Sequence, residues 1–374
     1  MTKILKRSPH YGQHVAHGAK GFIDFAGWEM PEHFSSLEQE VKTCREAAVL
    51  FDGHQMGEIH VKGKDAHAAV QKVCAANIKP VAGRCSYTSL LNKEGGIVDD
   101  LVVLCLTPDH YLMTAAAFNV HKTPGWLDSH IGDMDITIDD QTNGSTIIEI
   151  QGPNSRDILQ NITEADISNE ALPYFGCVET KIAGIDAIVA RLGVTGELGY
   201  EIIYDSGYAW TMYDALVEGG KDHGLELCGS KTVGIFRLEK VYHIYTREID
   251  ETTNPFEAGL EAFVNLDKGD FIGRDAMLAI KEKGVDRKLV GYEVDSKPIV
   301  VTPGTPIEID GKPAGKATFA AYSPTLDKVI GLGYVPVEHS KIGSTLTIVT
   351  DPDKVTASVV DTPFFDPKGE RIRI

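Results

Sequence analysis

The chain has 374 residues, which is too long for one ordinary hydrophobic core, so two or three domains are expected. Its formal net charge of −18 argues against a nucleic-acid partner or an anionic membrane surface, because phosphates need Lys and Arg opposite them. The six cysteines are scattered without a C-x-x-C pair, and we find no signal peptide or membrane-spanning stretch. These features predict a cytoplasmic protein with reduced thiols.

The first third of the chain mixes short strands and helices. Residues 20–31 predict a short strand that leads into a loop, and the apolar residues from Leu37 to Ala48 have helical spacing. Residues 58–63 alternate polar and apolar side chains, which predicts a strand. Asp65 follows in the position of a helix cap, and this helix is expected to run through Val73.

A hairpin is predicted over residues 86–106. Two apolar runs flank residues 92–96, whose sequence N-K-E-G-G is typical of a turn. The second run is continuously apolar from 101 to 106, so we expect it to be buried. Further along, Trp126 lies in a helical pattern, and residues 145–150 predict another strand before a helix at 156–160.

A glycine-rich turn is predicted at residues 192–199, between strands at 187–192 and 200–204. Three glycines in seven residues suit a tight turn or a close approach of the backbone to a ligand. Taken alone, the stretch favours a hairpin whose glycines serve geometry only. A helix is then expected within residues 208–223.

The last part of the chain is different in character. After a polar helix at 275–283, short β-rich runs are separated by Gly and Pro, which is typical of a small β-barrel or sandwich. Elsewhere strands and helices interleave, so the body is predicted to be α+β. A domain boundary is expected near residues 284–287.

Two carboxylate positions stand out because they interrupt apolar strands. Asp99 and Asp100 enter the buried run of the hairpin, and Glu201 lies between Tyr200 and Ile202. A carboxylate in such a place is costly unless it is paired or used, so each is a candidate ligand or proton-transfer group. The structural alternative, a carboxylate satisfied by backbone N–H groups, remains open for each of them.

The histidines do not predict a metal site. His10, His14 and His17 have helical spacing, but no acidic partner at a suitable offset and no second cluster accompany them. We therefore expect these three side chains to form a solvated helix face, and we predict no metal.

A series of motifs resembles the glycine-cleavage T-protein (aminomethyltransferase) superfamily over almost the whole chain. Each motif is weak alone, but their order and spacing are specific. The turn matches the family's G-Y-T-G-E-x-G-[YF]-E pattern, and Asp100 closes a G-G-I-V-D-D run that is also similar. The other matching segments are Ser8–Lys20, Phe25–Pro31, Leu50–Asp52, Tyr87–Asn92, Gln151–Pro153, Arg237–Glu239, Asp250–Pro255 and Ser323–Leu326.

The resemblance implies a three-domain, cloverleaf-like α+β fold around a tetrahydrofolate site, with a C-terminal β-barrel-like domain. We place the domains at residues 1–140, 141–284 and 285–374. It also implies an enzyme that moves a one-carbon unit from nitrogen, sulfur or oxygen to folate. Asp100 matches the family's essential Asp beside the reacting folate nitrogens. The positions that match the folate-binding site are Met56, Tyr87, Asp100, Val194 and Glu201.

Several positions depart from the family pattern. Val194 replaces the Tyr of G-Y-T-G-E, Ala116 stands where a folate-contacting Asn is expected, and Val233 replaces an Arg. Residues 52–56 read D-G-H-Q-M rather than the usual D-V-S-H-M. These changes resemble paralogues that demethylate small N-, S- or O-methylated molecules, and this is the function that the sequence favours.

Two alternatives remain. One is the classical aminomethyltransferase, whose partner is lipoylated H-protein; the other is a non-catalytic folate-binding protein.

Aromatic side chains would suit a methylated cationic donor through cation–π contacts. Trp28, Tyr242 and Tyr245 are the predicted donor-binding residues.

Overall fold

The computed structural model describes residues 4–294, 299–350 and 353–374. Its α-helices are α1 (Tyr11–Ala16), α2 (Leu37–Glu46), α3 (Ala66–Val73), α4 (Thr123–Ile131), α5 (Ser155–Gln160), α6 (Ala209–Gly220), α7 (Ser230–Lys240) and α8 (Arg274–Lys283). Its strands are β1 (Phe22–Phe25), β2 (Trp28–Pro31), β3 (Ala48–Asp52), β4 (Gly57–Lys62), β5 (Arg84–Leu91), β6 (Ile97–Thr107), β7 (His110–Ala115), β8 (Thr137–Asp140), β9 (Ser145–Gln151), β10 (Cys177–Ile182), β11 (Ile185–Ala190), β12 (Gly199–Asp205), β13 (Leu225–Leu227), β14 (Arg287–Val294), β15 (Thr305–Ile309), β16 (Lys312–Ser323), β17 (Lys328–Pro336), β18 (Thr345–Val349) and β19 (Lys354–Val360).

One sheet has the strand order β5-β6-β7-β4-β8. The predicted hairpin forms its first two strands, and the turn is held by Asn92, whose Oδ1 accepts hydrogen bonds from the amides of Glu94 and Gly96. Helices α3 and α4 cover one face of this sheet, where Val70 of α3 and Leu127 of α4 are buried with sheet residues such as Val103. The opposite face of this sheet packs against the second sheet.

The second sheet has the order β10-β11-β12-β9-β3-β13, with β13 parallel to β3. Helices α5 and α6 pack on one side of it. The glycine-rich turn connects the antiparallel strands β11 and β12, as predicted. Strand β3 comes from the first part of the chain and pairs with β9. The domain boundaries at 140 and 284 stay predictions.

The two sheets face each other across an apolar layer. Since side chains alternate along a strand, the residues two or four positions from Asp100, Glu149 and Glu201 point the same way as these carboxyl groups. Among those residues, Val102, Leu104, Ile147 and Ile203 belong to the layer between the sheets. This layer includes Leu104, Leu106, Leu112, Ile147, Leu192 and Ile203. The three carboxyl side chains therefore point into the space between the sheets.

The C-terminal part forms a closed barrel of order β14-β17-β16-β15-β18-β19. The predicted choice between barrel and sandwich is thus decided in favour of a barrel, which leaves no strand edge unpaired. Helix α7 joins the barrel to the body, because Leu238 packs against Ile330 and Leu332. The α+β class and the barrel-like domain are confirmed.

Two sequence-based expectations were wrong in detail. Residues 20–31 form a β-hairpin rather than a strand and loop, because Ala26 and Gly27 take positive φ angles of 52° and 88° and close a tight turn. His10 and His14 are buried rather than solvated. His10 Nδ1 lies 3.0 Å from Asp52 Oδ1, and His14 Nε2 lies 3.5 Å from Asp52 Oδ2. Asp52, at the end of β3, therefore gives both buried rings a polar partner.

No helix in the described part of the chain is long and apolar enough to cross a membrane.

Candidate active site

A cavity of about 1000 Å³ lies where the two sheets, helix α7 and the barrel meet. Its walls come from strands β3, β5, β6, β9 and β12, from the glycine-rich turn, and from the segment after α7. Barrel residues such as Phe319 and Leu332 complete it. Its size is that of a pocket for a cofactor-sized ligand.

The neighbouring carboxylates Asp99 and Asp100 play different structural roles. Strand alternation turns Asp99 away from the cavity, where it accepts hydrogen bonds from Asn119 Nδ2 at 2.8 Å and Thr123 Oγ1 at 2.6 Å. The amides of Asp100 and Ala116 also donate to Asp99 Oδ1. Asp99 is therefore the satisfied structural carboxylate that the alternative interpretation described.

Asp100 lines the cavity. The Tyr87 hydroxyl donates a hydrogen bond of 2.9 Å to its Oδ2. Burial, and then the negative charge of Asp99, raise the pKa of Asp100 to about 7. A carboxyl group with this pKa can take up or release a proton near neutral pH.

Glu201 is buried, with 8% of its surface exposed, and it also lines the cavity. Burial raises its pKa to about 8. Among the residues that the structure describes, its Oε2 has no hydrogen-bond partner. A buried acceptor without a partner is costly, and a ligand in the cavity with N–H donors would satisfy it.

A second buried glutamate faces the cavity beside Glu201. Glu149 lies directly opposite Glu201 in the antiparallel β9–β12 ladder, so both side chains are on the same face. Glu149 is not among the site residues predicted from the sequence. The signal was present, because Glu149 interrupts the apolar strand 146–150 in the same way as Glu201 interrupts its own strand.

The glycine-rich turn is fastened by one side chain. Gln151 Oε1 accepts hydrogen bonds from the amides of Val194 and Thr195 and from the Thr195 hydroxyl, at 3.2, 3.0 and 2.6 Å. A Cβ at Gly193 would lie 2.3 Å from Gln151 Nε2, so only glycine permits this approach. The turn therefore does more than reverse the chain, because Gly193 and Gly199 make room for Gln151.

The glutamate of the turn is structural. Glu197 Oε1 accepts hydrogen bonds from Arg45 Nη1 and Arg371 Nε, both at 2.8 Å. Arg45 also pairs with Glu239 on α7. These ion pairs hold the turn, α7 and the C-terminal segment together at one wall of the cavity.

The other predicted folate-site residues are in place around the cavity. Met56, Tyr87 and Val194 all line it, together with Asp100 and Glu201. The two further apolar departures, Ala116 and Val233, line it as well. The structure thus gathers these positions, which are distant in sequence, around one space. Their roles toward folate stay predictions.

The three aromatic residues predicted to bind a donor are placed differently. Tyr242 and Tyr245 line the cavity, and the Tyr245 hydroxyl accepts a hydrogen bond from Lys122 Nζ at 2.9 Å. Trp28 is outside the cavity lining. Its ring is buried edge-on against His54 with centroids 4.6 Å apart, so it is not positioned to touch a ligand there.

A basic residue that sequence analysis read only as part of a motif also reaches the cavity. Arg237 is buried, pairs with Glu248 through Nη1 at 2.8 Å, and stacks 4.6 Å from the Phe319 ring. Its Nε and Nη2 have no partner among the described residues. The cavity therefore has carboxyl groups on one side and a buried guanidinium on another, which suits a ligand with both N–H donors and an anionic group.

The described residues contain no group of three or more His, Cys, Asp and Glu side chains that could hold a metal ion.

Two protein-family models and several named relatives match this chain over most of its length. The family model described as the GCVT N-terminal domain matches residues 10–268, and that of the glycine cleavage T-protein C-terminal barrel domain matches residues 287–366. Proteins named aminomethyltransferase from Caldanaerobacter subterraneus subsp. tengcongensis and Thermotoga sp. (strain RQ2) are 37% and 38% identical. Each alignment covers 96% of this chain, and it covers 96% and 98% of those relatives, respectively.

A solved structure agrees with these matches. The crystal structure of glycine cleavage system aminomethyltransferase T from Bartonella henselae is 28% identical, with a TM-score of 0.89 over 97% of this chain and 99% of that one. The chain therefore belongs to the glycine-cleavage T-protein superfamily and is an enzyme of that family.

Proposed function

We propose that this enzyme transfers a one-carbon unit to tetrahydrofolate bound in the central cavity. The observation that carries the proposal is the placing of Asp100 and Glu201 on facing walls of one cavity, with an unpartnered oxygen on Glu201. The pterin ring offers a pair of neighbouring N–H donors, and a carboxylate can accept both in a bidentate contact.

The residues present fit this ligand. Glu201 would hold the pterin edge, and Met56, Tyr87 and Val194 would contact the ring system. When bound, tetrahydrofolate supplies the N5 amine that accepts the one-carbon unit. The protein's part is then mainly to orient the two reactants, which can account for a large share of the rate.

Asp100 is assigned the proton-handling role. Its pKa of about 7 lets it exist in both forms near neutral pH, and the Tyr87 hydroxyl fixes the orientation of its carboxyl group. At the folate amines, Asp100 would accept or return a proton and stabilise developing positive charge. No nucleophilic attack by Asp100 is required.

For the donor, we propose an aminomethyl group carried by a protein partner. The relatives with 37–38% identity are named aminomethyltransferase, and they favour this classical activity over the demethylation that the sequence departures suggested. The partner would then be a lipoylated H-protein, and the products would be ammonia, methylene-tetrahydrofolate and the H-protein with its lipoyl group in the dithiol form.

A small methylated donor is the second candidate. The observation that favours it is the apolar lining at Val194, Ala116 and Val233, where the family pattern has polar or charged side chains. Such a wall suits a methyl group better than the charged amine of an aminomethyl group. Tyr242 and Tyr245 could then contact a methylated cation.

A cytoplasmic location is part of the proposal. All six cysteines are buried and unpaired, as expected in a reducing compartment.

The test is to incubate the purified enzyme with tetrahydrofolate and one donor at a time. Aminomethyl-lipoyl H-protein is compared with methylated amines, sulfonium compounds and methoxy-aromatics, and mass spectrometry identifies the folate product. Methylene-tetrahydrofolate from H-protein alone supports the lead proposal, whereas methyl-tetrahydrofolate from a small donor supports the second candidate. Folate binding without any product would instead indicate a non-catalytic binding protein.

A further inference from the structure

Glu149 and Glu201 form a buried pair at the cavity, and the proposed function gives a role only to Glu201. They face each other across two strands, both line the cavity, and they are 5% and 8% exposed. Two neighbouring carboxylates cannot both ionise cheaply away from water. One of them must hold a proton or meet a positive charge.

The hydrogen bonds indicate which oxygen of Glu149 is available to a ligand. Gln151 Oε1 is occupied by three donors of the glycine-rich turn, which orients the Gln151 amide. Its Nε2 therefore points the other way and donates to Glu149 Oε2 at 2.7 Å. Because Oε2 acts as an acceptor in this contact, Oε1 is the oxygen that can carry a proton.

The surrounding charges favour a protonated Glu149. The charged groups that act on it are Glu201 on β12 and Asp52 on β3, and both are acidic. Burial, and then the charge of Glu201, raise the pKa of Glu149 well above its usual range. Burial raises the pKa of Glu201 as well.

We propose that Glu149 is a second recognition residue of the folate site, a neutral carboxylic acid that donates a hydrogen bond to the ligand. Glu201 accepts two N–H groups of the heterocycle, and Glu149 donates to the carbonyl oxygen next to them. The pair would select a 2-amino-4-oxo edge, which presents two donors followed by an acceptor. This inference rests on the proposed folate site and names the residue that makes it selective.

The test compares two variants and two ligands. Glu149→Gln keeps a hydrogen-bond donor of the same shape, whereas Glu149→Leu removes it. Affinities are measured by calorimetry for tetrahydrofolate and for its 4-amino-4-deoxy analogue, which has an amino donor in place of the carbonyl and no hydrogen on N3. Each variant is therefore compared with wild type for the same ligand. We expect Glu149→Gln to bind tetrahydrofolate within about threefold of wild type and Glu149→Leu to bind it about tenfold more weakly. Glu149→Leu should leave the affinity for the 4-amino analogue nearly unchanged.

A control separates recognition from folding. Glu58 is another buried glutamate in a strand, and it is outside the cavity lining, so Glu58→Leu should not change either affinity. The inference is overturned if Glu149→Leu binds tetrahydrofolate as well as wild type does, or if it loses both ligands equally. It is also overturned if Glu149→Gln is as weak as Glu149→Leu, because a charge would then be needed. If wild type binds neither ligand, the folate site itself is wrong, which is a different result.

Discussion

Two pairs of carboxyl groups flank the central cavity, and they are built in opposite ways. Asp99 and Asp100 are neighbours along one strand, so alternation sends them to opposite faces. Glu149 and Glu201 are opposite each other on two strands, so they share a face. In the first pair one carboxylate is fully hydrogen-bonded and the other is exposed to the cavity, whereas in the second pair both face the cavity.

This difference distinguishes a carboxylate that is buried to support the fold from carboxyl groups that are buried at the ligand cavity. Asp99 takes four hydrogen bonds and supports the wall, which leaves Asp100 as the single reactive group on its strand. The glutamates have fewer partners and depend on a shared proton or on a ligand. The aspartate pair therefore suits chemistry at one atom, and the glutamate pair suits recognition of a planar edge.

The largest expected effect is at Asp100. Asp100→Asn keeps the shape but removes the proton-accepting group, so turnover should fall by about 10²- to 10⁴-fold. Affinity for tetrahydrofolate should stay within about threefold, because Asn retains the size and polarity of the wall. Turnover is followed by mass spectrometry of the folate product and affinity by calorimetry. Full activity in this variant would remove Asp100 from the mechanism.

Asp99 should show the complementary effect on stability. Asp99→Ala leaves the buried donors of Asn119 and Thr123 without an acceptor, which is expected to lower the free energy of unfolding by about 3 kcal/mol. Urea unfolding followed by circular dichroism measures this change. Asp100→Asn, one residue away, is the matched control and should cost little. Equal losses in both variants would contradict the division of roles.

The glutamate pair predicts a pH dependence of folate binding. Glu201 can accept both N–H groups of the heterocycle only when it is ionised, and its pKa in the free protein is about 8. Affinity should therefore increase by up to about tenfold per pH unit as the pH rises toward 8, and then level off. Asp52, which acts on Glu149, and Cys85, which is linked to Glu201, are the other titratable groups whose charges affect this pair.

Glu149→Gln tests which of the two glutamates, Glu149 or Glu201, holds the proton. If Glu149 is neutral while Glu201 ionises, this variant keeps the midpoint near pH 8. If Glu149 carries a charge, its removal relieves repulsion and moves the midpoint to lower pH. Calorimetric titrations at a series of pH values distinguish the two, and a lowered midpoint would count against the recognition role of Glu149.

The smallest effect is expected at Val194. Its backbone N–H donates to Gln151, which in turn contacts Glu149, whereas its side chain packs against a cluster that contains Phe51 and adds apolar surface to the cavity. Val194→Ala should therefore weaken tetrahydrofolate binding by about threefold. A loss above tenfold would show that the side chain, and not the backbone link, matters to the glutamate pair.

Much of the site could be predicted from local sequence. Alternating apolar and polar residues and the position of the glycines predict the hairpin at 86–106 and the glycine-rich turn before Glu201. Both are present in the structure. The family resemblance selected Asp100 over Asp99 and added Met56 and Tyr87, and all three selected positions line one cavity. These features depend on neighbours along the chain or on motifs, so sequence alone carries them.

Other features depended on contacts between distant segments. The pairing of β9 with β12 brings Glu149 against Glu201, and the end of β3 brings Asp52 to the histidines of α1. Trp28 was expected at the ligand but packs on His54 instead.

The sequence by itself determined the α+β class, the turn that presents Glu201 and the family. Only the tertiary structure decided which carboxyl groups meet. Strand alternation fixes the face of a side chain locally, but its neighbour across the sheet is set by strand order and register.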